Sequence, residues 1–571
     1  MTNKEIATNI AQIAKILELR GTEKNRFRIV AYERAAETIA NYPEDMRLVY
    51  EKGGLKGLND IEGVGESIAE KIEELIKTDK LAYLKELQED IPAAEVEFLA
   101  IPGVGPKMAV KLAEELKAKN IEDLKKKLEK GEGEKIILDK TRENILQGIE
   151  ILGKLTDRLL ITEALPIAED IVKKLTELKE TKKVDYVGSL RRMKDTIGDI
   201  DIVATSSEPK KVIDQFVQMS FVDHIVTQGE TKSTIIHRQG VQIDLEIVPS
   251  EEYGSLLQHF TGSKDHNVAL RTYAQTQNKS VSEHGIKYSG SLHQFDTESG
   301  VYGFLGMDYI EPELRENRGE IEAALKKQLP NLLNIHDIKG DLHVHSNWSD
   351  GNLSILEIAQ IAEKMGYEYI SITDHTVGLG IAHGLSGDSF LARQKEIGKA
   401  QQNVKIKILS GAEVNIKADG DLDVPDDVLE KLDVVVGSVH SSFRQDKETM
   451  TERLLKAINH PHIDIIGHPS GRLIGQREPY EVDWAQIFEN CAKTGTALEI
   501  SSFPNRLDLA DYLVQEAKRH GCKFTIDTDS HQMEHLELMR YGISVARRGW
   551  CEASDILNTQ GLNELQKWLR R

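Results

Sequence analysis

From Gly340 onward, seven short apolar runs alternate with helix-like stretches, and nearly every run contains or precedes a histidine or a carboxylate. Such alternation predicts parallel strands, arranged either as a barrel or as a doubly wound sheet. The carboxyl ends of parallel strands meet at one edge of a fold, so we expect side chains at these ends to share a site. Residues of metal-binding type at these positions are His343, His345, Asp350, Asp374, His375, Glu413, His440, His468, Asp529 and His531.

This set of residue types predicts a metal centre. A single buried histidine is usually a core residue, but six histidines in equivalent positions with carboxylates between them are hard to explain by packing. Mixed imidazole and carboxylate ligands suit Mn²⁺, Zn²⁺ or Fe²⁺. Such ions generate hydroxide near neutral pH and polarise phosphoryl oxygens, so the expected reaction class is phosphoester hydrolysis.

Length and composition set broad limits. A chain of 571 residues predicts several domains, and 40 % hydrophobic with 29 % charged residues is ordinary for globular proteins. The net charge of −21 is only weak evidence against a nucleic-acid partner, because acidic clusters that bind divalent ions reverse the local field. Three cysteines without paired spacing, no signal-peptide core and no apolar run of about 18 residues predict a soluble, cytoplasmic protein.

Two N-terminal segments, residues 58–75 and 98–116, share an apolar residue, a Gly-Val-Gly turn and an amphipathic helix. Glycine permits a tight turn, and the following helix N-terminus favours anions, so each segment could bind phosphate without reading sequence. A packing corner without a ligand is the alternative. The pattern resembles the helix–hairpin–helix motif, and its candidate DNA-binding residues are Gly63, Val64, Gly65, Gly103, Val104 and Gly105.

Residues 155–250 contain strand-like runs with three carboxylates. Asp199 and Asp201 are two apart on a predicted strand and therefore lie on one face, and Asp244 lies in another strand. Clustered carboxylates in an apolar setting require cations, and two divalent ions can serve an in-line phosphoryl displacement. The Gly188–Ser189 turn upstream could contact a triphosphate. The alternative is an edge strand with solvent-facing aspartates.

The segments GSLRRMKDTIGDIDIV, VQIDLEIV and HFTGSKDHNVALR resemble the palm and thumb signatures of family X DNA polymerases, and the resemblance covers nearly all of the first 315 residues. It implies that Asp199, Asp201 and Asp244 hold two Mg²⁺ or Mn²⁺ ions. The remaining residues that it assigns to dNTP binding are Gly188, Ser189, Arg192 and Gly198 at the triphosphate, Phe260, Thr261 and Gly262 at the sugar and base, and Asn267 and Arg271 at the base pair and template.

The segment NRFRIVAYERAAETI is similar to the lyase domain of the same family. This similarity implies a Schiff-base lysine at Lys71, with Arg28 and Tyr32 at a 5′-phosphate; a solvated helix lysine is the alternative for Lys71. Three departures from the family pattern stand out: Ser67 replaces a basic residue, Glu246 an arginine, and His259 the usual tyrosine, which leaves ribonucleotide discrimination open.

The C-terminal pattern resembles the polymerase and histidinol phosphatase (PHP) domain. The resemblance implies a distorted seven-stranded barrel with up to three Mn²⁺, Zn²⁺ or Fe²⁺ ions, and 3′–5′ exonuclease and abasic-site processing. Its nine ligands would be His343, His345, Asp350, His375, Glu413, His440, His468, Asp529 and His531. The departures Asn415 and Ser502 fall outside this ligand set.

We therefore expect a multidomain fold with a helical helix–hairpin–helix region, an α+β nucleotidyltransferase palm, a helical and β thumb, and an α/β PHP barrel. The predicted domains are residues 1–84 (lyase-like), 85–153 (fingers-like), 154–250 (palm), 251–315 (thumb), 316–338 (linker) and 339–571 (PHP).

The leading hypothesis is a monomeric DNA-directed DNA polymerase of base excision repair that uses dNTPs at the primer 3′ end of gapped or nicked double-stranded DNA, with a built-in exonuclease. A 5′-deoxyribose-phosphate lyase or abasic endonuclease activity would accompany it. The alternatives are a template-independent or RNA-directed nucleotidyltransferase, a DNA-tethered PHP phosphatase, and a DNA-binding scaffold without catalysis.

Overall fold

The computed structural model divides the chain into two compact units. The first comprises Met1–Leu190, Thr196–Tyr253 and Gly475–Arg477, and the second Arg191–Asp195, Gly254–Ile474 and Glu478–Arg571. The residues that the structure describes are 3–19, 22–42, 46–61, 63–78, 80–88, 92–99, 101, 104–132, 137–139, 141–143, 145–146, 148–149, 158–377 and 384–569.

Helices make up the N-terminal region, as predicted. Helices α1–α8 span Asn3–Leu19, Thr22–Asn41, Met46–Asn59, Glu66–Thr78, Ala82–Gln88, Ala93–Phe98, Pro106–Glu114 and Ile121–Glu129. Helix α4 shows why they pack: Ile68, Ile72 and Leu75 recur at helical spacing and are buried on one face. Two separate hydrophobic clusters form, one from residues between Ile6 and Leu87 and one from residues between Phe98 and Ile149.

A five-stranded sheet carries the three central carboxylates. Strands β1–β7 span Leu159–Leu160, Thr181–Tyr186, Thr196–Ile197, Asp199–Ser206, Val222–Gln228, Lys232–His237 and Gln242–Val248, and helices α9–α11 span Ile161–Thr176, Gly188–Arg191 and Pro209–Phe216. Strands β1 and β3 pair with each other in a separate two-stranded sheet. The strand order in the five-stranded sheet is β2-β4-β7-β6-β5. Only the β4–β7 pair is parallel within this sheet, and it sets Asp201 opposite Asp244.

The second unit begins with a helical and β region, in agreement with the predicted thumb. A 3₁₀ turn at Ser250–Glu252, in the first unit, precedes this region. The elements of the region are helices α12–α15 at Tyr253–Thr261, Lys264–Thr276, Glu298–Phe304 and Glu320–Lys326, a 3₁₀ turn at Pro312–Leu314, and antiparallel strands β8–β10 at Ser280–Ser282, Gly285–Tyr288 and Ser291–His293. Ile321 and Ala324, within the predicted linker, are buried in the same cluster as Leu270 and Val301.

Seven parallel strands follow in sequential order. Strands β11–β17 span Gly340–Val344, Tyr369–Ile372, Lys407–Asn415, Val434–Ser438, Ile465–Ile466, Ala497–Ser501 and Phe524–Asp527. The last strand returns to the first, since Val344 bridges Ser530 in parallel and the N–H of His345 donates to the carbonyl of Ser530 at 2.8 Å. The domain is therefore the nearly closed barrel that the PHP resemblance implied. It is not a doubly wound sheet, which was the alternative.

Helices surround this barrel and cover its strands, which explains why the strands are apolar along their length. Helices α16–α23 span Ile355–Lys364, Gly387–Ala400, Asp426–Leu429, Lys447–Ile458, Trp484–Thr494, Asp511–Arg519, Met539–Arg548 and Leu562–Leu569, and 3₁₀ turns lie at Ile335–Asp337, Gln401–Asn403, Met533–Leu538, Ala553–Asp555 and Leu557–Thr559. Among the described residues, none of the helices has the length and apolarity needed to cross a membrane.

A buried ion pair stabilises the thumb-like region. Glu298 accepts hydrogen bonds from Arg315 at 2.5 Å and from Arg191 at 2.7 Å. Burial acts to raise the pKa of Glu298, but Arg315 and Arg191 outweigh it and hold this pKa at about 2.

Glu298→Gln should lower the free energy of unfolding by about 3–5 kcal/mol, because it leaves two buried guanidinium groups without their carboxylate. Since the folded pKa of Glu298 is depressed, its contribution is present above about pH 4.3 and is lost as the pH falls toward 2. Calorimetry of both proteins across this range tests the prediction. Glu208→Gln, in an exposed pair with Lys211, is the control and should leave the unfolding midpoint unchanged.

Candidate active sites

The first candidate site is formed by Asp199, Asp201 and Asp244, whose carboxylate oxygens approach within 4.8 Å of one another. The parallel β4–β7 pairing brings them together, since Asp201 and Asp244 are direct neighbours across the two strands. Thr234 and Gln242 donate hydrogen bonds to the carboxylate of Asp244 and so fix its orientation. Three carboxylates at this spacing suit hard divalent ions, which prefer oxygen ligands.

The turn before these strands needs glycine. At Gly188 the backbone has a φ of 65°, and an added Cβ would lie 2.5 Å from Oδ2 of Asp201. This close approach places Ser189 at the N-terminus of the short helix α10, beside the carboxylates. Gly198 similarly leaves room for the guanidinium of Arg158, which donates to the carbonyl of Thr196 at 2.7 Å. Sequence analysis did not identify Arg158.

The predicted nucleotide-binding residues of the second unit fall into two groups. Arg192 donates to the carbonyl of Thr261 and lies against Gly262, which follows the buried C-terminal end of α12. Asn267 and Arg271 both engage His259: Asn267 donates to its carbonyl at 2.7 Å, and Nη2 of Arg271 lies 3.1 Å from its Nδ1.

The ring of Phe260 lies next to that of His259, with 5.3 Å between the ring centroids. His259, which we identified as a departure from the family pattern, therefore connects the predicted template-side residues of α13 to α12. A tyrosine ring has no nitrogen and could not make the contact that Nδ1 of His259 makes with Arg271.

The second candidate site brings together all nine residues that the PHP resemblance implied. Within the part of the chain that the structure describes, possible ligand atoms form three groups here. The groups are His345 with Asp350, His375 and His531; His343 with His345 and Asp529; and His375 with Glu413 and His440. His468 joins them, with its Nε2 at 3.1 Å from Oε1 of Glu413. Shared members make these groups one continuous cluster at the carboxyl ends of the barrel strands.

The residues of this cluster fit metal ions. Nε2 of His343 and both ring nitrogens of His345 are buried and make no hydrogen bond, although carboxylate oxygens lie 3.1–3.8 Å away. Buried polar atoms without partners are costly, and a bound cation would satisfy them. Burial alone would raise the pKa of Glu413, but His440, His375 and His343 hold it well below its usual range.

Outer residues orient the ligand rings. Nδ1 of His343 lies 2.6 Å from Oε1 of Glu499, and Nδ1 of His440 lies 2.6 Å from Oδ1 of Asn415. Such contacts select the tautomer that directs Nε2 toward the cluster. Asn415 thus has a part in the site although it is not a ligand. Glu499 was missed because its strand, ALEIS, reads as an ordinary buried strand.

Two further residues complete this picture. Asp374, a strand-end carboxylate, is not in the cluster, because Arg393, Ser346 and Ser349 donate to its oxygens and hold it in the barrel wall. Arg506, which sequence analysis did not identify, places its Nε 3.9 Å from Oδ2 of Asp529 and adds a positive charge at the rim.

The described residues of the two Gly-Val-Gly turns share one hydrogen bond. Val64 and Val104 are buried, and each donates its N–H to the isoleucine three residues earlier at 3.0 Å, so these residues hold the turns together. Contacts with DNA would then fall to other backbone groups of the turns. Gly63 has a φ of 78°, Gly65 and Gly105 precede helices α4 and α7, and Gly103 lies outside the described residues.

Lys71 lies among aromatic rings. Its Nζ is 4.9 Å from the ring centroid of Tyr83 and 5.9 Å from that of Tyr32, and it donates to Ser67 at 2.9 and 3.0 Å. Arg28 donates to the hydroxyl of Tyr83. The three predicted residues are thus close together, and Tyr83, which sequence analysis missed, joins them.

Comparisons with known proteins agree with this architecture. A PHP domain model matches residues 341–502, and a DNA polymerase beta thumb model matches residues 256–316. A helix-hairpin-helix domain model matches residues 1–81, and a SAM-like helix-hairpin-helix tandem model matches residues 55–118.

Relatives cover different shares of the chain. The DNA polymerase/3′-5′ exonuclease PolX of Bacillus subtilis (strain 168) is 36 % identical over the whole length of both proteins. A probable phosphatase of Thermoanaerobacter sp. (strain X514) is 29 % identical over 40 % of this chain and 94 % of its own. DNA polymerase lambda of Rattus norvegicus is 24 % identical over 55 % of this chain and 56 % of its own.

Glu413→Gln should weaken Mn²⁺ binding at the C-terminal cluster by more than about 100-fold, because this carboxylate lies within 3.6 Å of five histidine rings. Equilibrium dialysis followed by metal analysis measures the loss. The exposed His224→Ala is the control and should bind as the unchanged protein does. Unchanged Mn²⁺ content in Glu413→Gln would contradict a metal centre at this cluster.

Proposed function

Since the chain belongs to the family X DNA polymerases that carry a C-terminal PHP domain, we propose that it fills short DNA gaps in base excision repair and degrades DNA from 3′ ends. The strongest support is that two separate ligand sets are each complete on their own scaffold, a five-stranded sheet and a seven-stranded barrel. The substrates would be gapped or nicked double-stranded DNA and dNTPs, and the protein would act as a cytoplasmic monomer.

In the polymerase site, Asp199, Asp201 and Asp244 would hold two Mg²⁺ or Mn²⁺ ions, which supply positive charge for in-line attack by the primer 3′-hydroxyl and for departing pyrophosphate. Thr234 and Gln242 would keep Asp244 in its binding orientation.

The surrounding residues would position the nucleotide. Gly188, Ser189, Arg192 and Gly198 would bind the triphosphate, Phe260, Thr261 and Gly262 would contact the sugar and base, and Asn267 and Arg271 would face the base pair and template. Because the side chains of Asn267 and Arg271 both contact His259, this histidine would set the geometry of the nascent pair.

In the barrel, the nine-residue cluster would hold up to three Mn²⁺, Zn²⁺ or Fe²⁺ ions, which supply a nucleophile and polarise the phosphodiester. Glu499 and Asn415 would keep His343 and His440 in the tautomer that binds metal. Hydrolysis of the terminal phosphodiester would give 3′–5′ exonuclease activity, and the same chemistry would serve abasic-site processing.

A relative that matches less than half of this chain suggests a second candidate activity for the barrel domain. The probable phosphatase of Thermoanaerobacter sp. matches 40 % of this chain, so monoester hydrolysis is the competing chemistry. Comparing release of nucleotides from a DNA 3′ end with release of phosphate from a small monoester separates the two.

The two sites should be separable by mutation. Asp199→Ala with Asp201→Ala should abolish primer extension on gapped DNA and leave Mn²⁺-dependent 3′ degradation unchanged, because the barrel ligands are untouched. His343→Ala with His345→Ala should have the opposite effect. Both activities are measured on one labelled substrate with and without dNTPs. Loss of both activities from either folded double variant would refute the assignment of two independent sites.

We further propose that Lys71 acts as a lyase nucleophile on a 5′-deoxyribose phosphate. The rings of Tyr32 and Tyr83 lie 5.9 and 4.9 Å from its amine, and Arg28, which donates to the hydroxyl of Tyr83, lies close enough to bind the phosphate.

Lys71→Ala should remove at least about 90 % of the borohydride-trapped complex with 5′-incised abasic DNA, because the Schiff base needs a primary amine. Lys77→Ala is the matched control, since Lys77 lies on the same helix in an exposed pair with Glu73. Equal trapping by Lys71→Ala and the unchanged protein would exclude Lys71 as the nucleophile.

A further inference from the structure

The segment Arg191–Asp195 joins the predicted triphosphate turn at Ser189 to the carboxylate strand that begins at Asp199. The C-terminal barrel domain holds this segment at two points. Arg548, at the end of α22, donates to the carbonyl of Arg192 at 2.6 Å, and Nη1 of Arg472 lies 3.4 Å from Oδ2 of Asp195.

Arg548 is a buried cation with a full set of partners. Its side chain is 3 % exposed, and besides the carbonyl of Arg192 it donates to Glu316 at 3.1 Å and to Asp511 at 2.6 Å. The planar guanidinium of Arg548 thus donates to two carboxylates and one carbonyl, and a lysine ammonium cannot reproduce this arrangement. Burial acts to raise the pKa of Asp511, but Arg548 and Arg318 hold it at about 2.

Glu316 connects Arg548 to the side chain of Arg192. Its Oε1 accepts from Nε of Arg192 at 3.0 Å and from Nη1 of Arg548 at 3.1 Å. Arg548 therefore holds Arg192 in two ways. It donates directly to the carbonyl of Arg192, and it shares the carboxylate of Glu316 with the guanidinium of Arg192. Nη1 of Arg192 also donates to the carbonyl of Thr261.

The backbone of the segment is unusual at the next residue. Met193 has a φ of 53°, which lies in the left-handed region that residues other than glycine rarely adopt. Such a conformation persists only where neighbouring contacts enforce it. The contacts of Arg548 before it and of Arg472 after it are suitably placed to do so.

We propose that Arg548 of the PHP barrel is a positioning residue for DNA synthesis, which holds Arg192 in the geometry that binds the dNTP triphosphate. This role rests on the proposed polymerase function and requires none of the barrel's metal ligands. The barrel domain thus contributes to nucleotide binding through its structure, apart from its own hydrolytic chemistry.

Steady-state primer extension on gapped DNA by the full chain tests this role. Arg548→Lys should raise the KM for dNTP about tenfold with kcat changed less than about twofold, because Arg192 is misplaced while the three aspartates are untouched. The rate of 3′ degradation should stay the same. Glu316→Gln should give the same rise, and the double variant should show no further increase, since both act through Arg192.

Arg547→Lys is the matched control. Arg547 is the adjacent residue on α22 and also contacts the thumb-like region, through Glu313 at 2.7 Å and the carbonyl of Leu333 at 2.9 Å, but it does not touch Arg192. It should leave the KM unchanged. An unchanged KM in both Arg548→Lys and Glu316→Gln would overturn the proposal, as would an equal rise in Arg547→Lys. Absence of templated incorporation by the unchanged protein would instead refute the polymerase function itself.

Discussion

Both candidate sites depend on one constraint, which is that their clustered ligand atoms need divalent cations as partners. Three carboxylates lie within 4.8 Å of one another on the central sheet, and the barrel gathers three carboxylates with six histidines. Without cations, the central carboxylates would repel one another and buried ring nitrogens of the barrel would lack partners. The two scaffolds must therefore be rigid enough to hold these groups in place against their own electrostatics.

Parallel strand pairing supplies that rigidity in both cases. In the five-stranded sheet the single parallel pair, β4 with β7, aligns Asp201 with Asp244. In the barrel every pair of neighbouring strands is parallel, so side chains at their carboxyl ends converge. Residues that touch no metal, such as Glu499 and Asn415, then select which ring nitrogen faces the centre.

Arginines join the thumb-like region to the barrel within the second unit. Arg547 and Arg548 project from one helix to Glu313 and Glu316, and Arg318 reaches back to Asp511. Arg548 is almost fully buried, which makes its pairing obligatory, because an unpaired buried charge is strongly destabilising. The barrel is therefore built into the same unit as the segment that carries Arg192 and is not an independent appendage.

Much of this protein was predictable from local sequence. All seven barrel strands, the Gly-Val-Gly helices and the candidate ligands were identified, because strand and helix periodicity and ligand chemistry are properties of short segments. Closure of the barrel followed only by resemblance, since the bridge between β11 and the segment just after β17 joins residues nearly 190 positions apart. Only the tertiary structure showed which partners hold Asp374 in the barrel wall and revealed Glu499, Arg158, Tyr83 and Arg548. The contacts of these residues are with partners that are distant in the chain. The spacing of residues within one segment cannot predict such contacts.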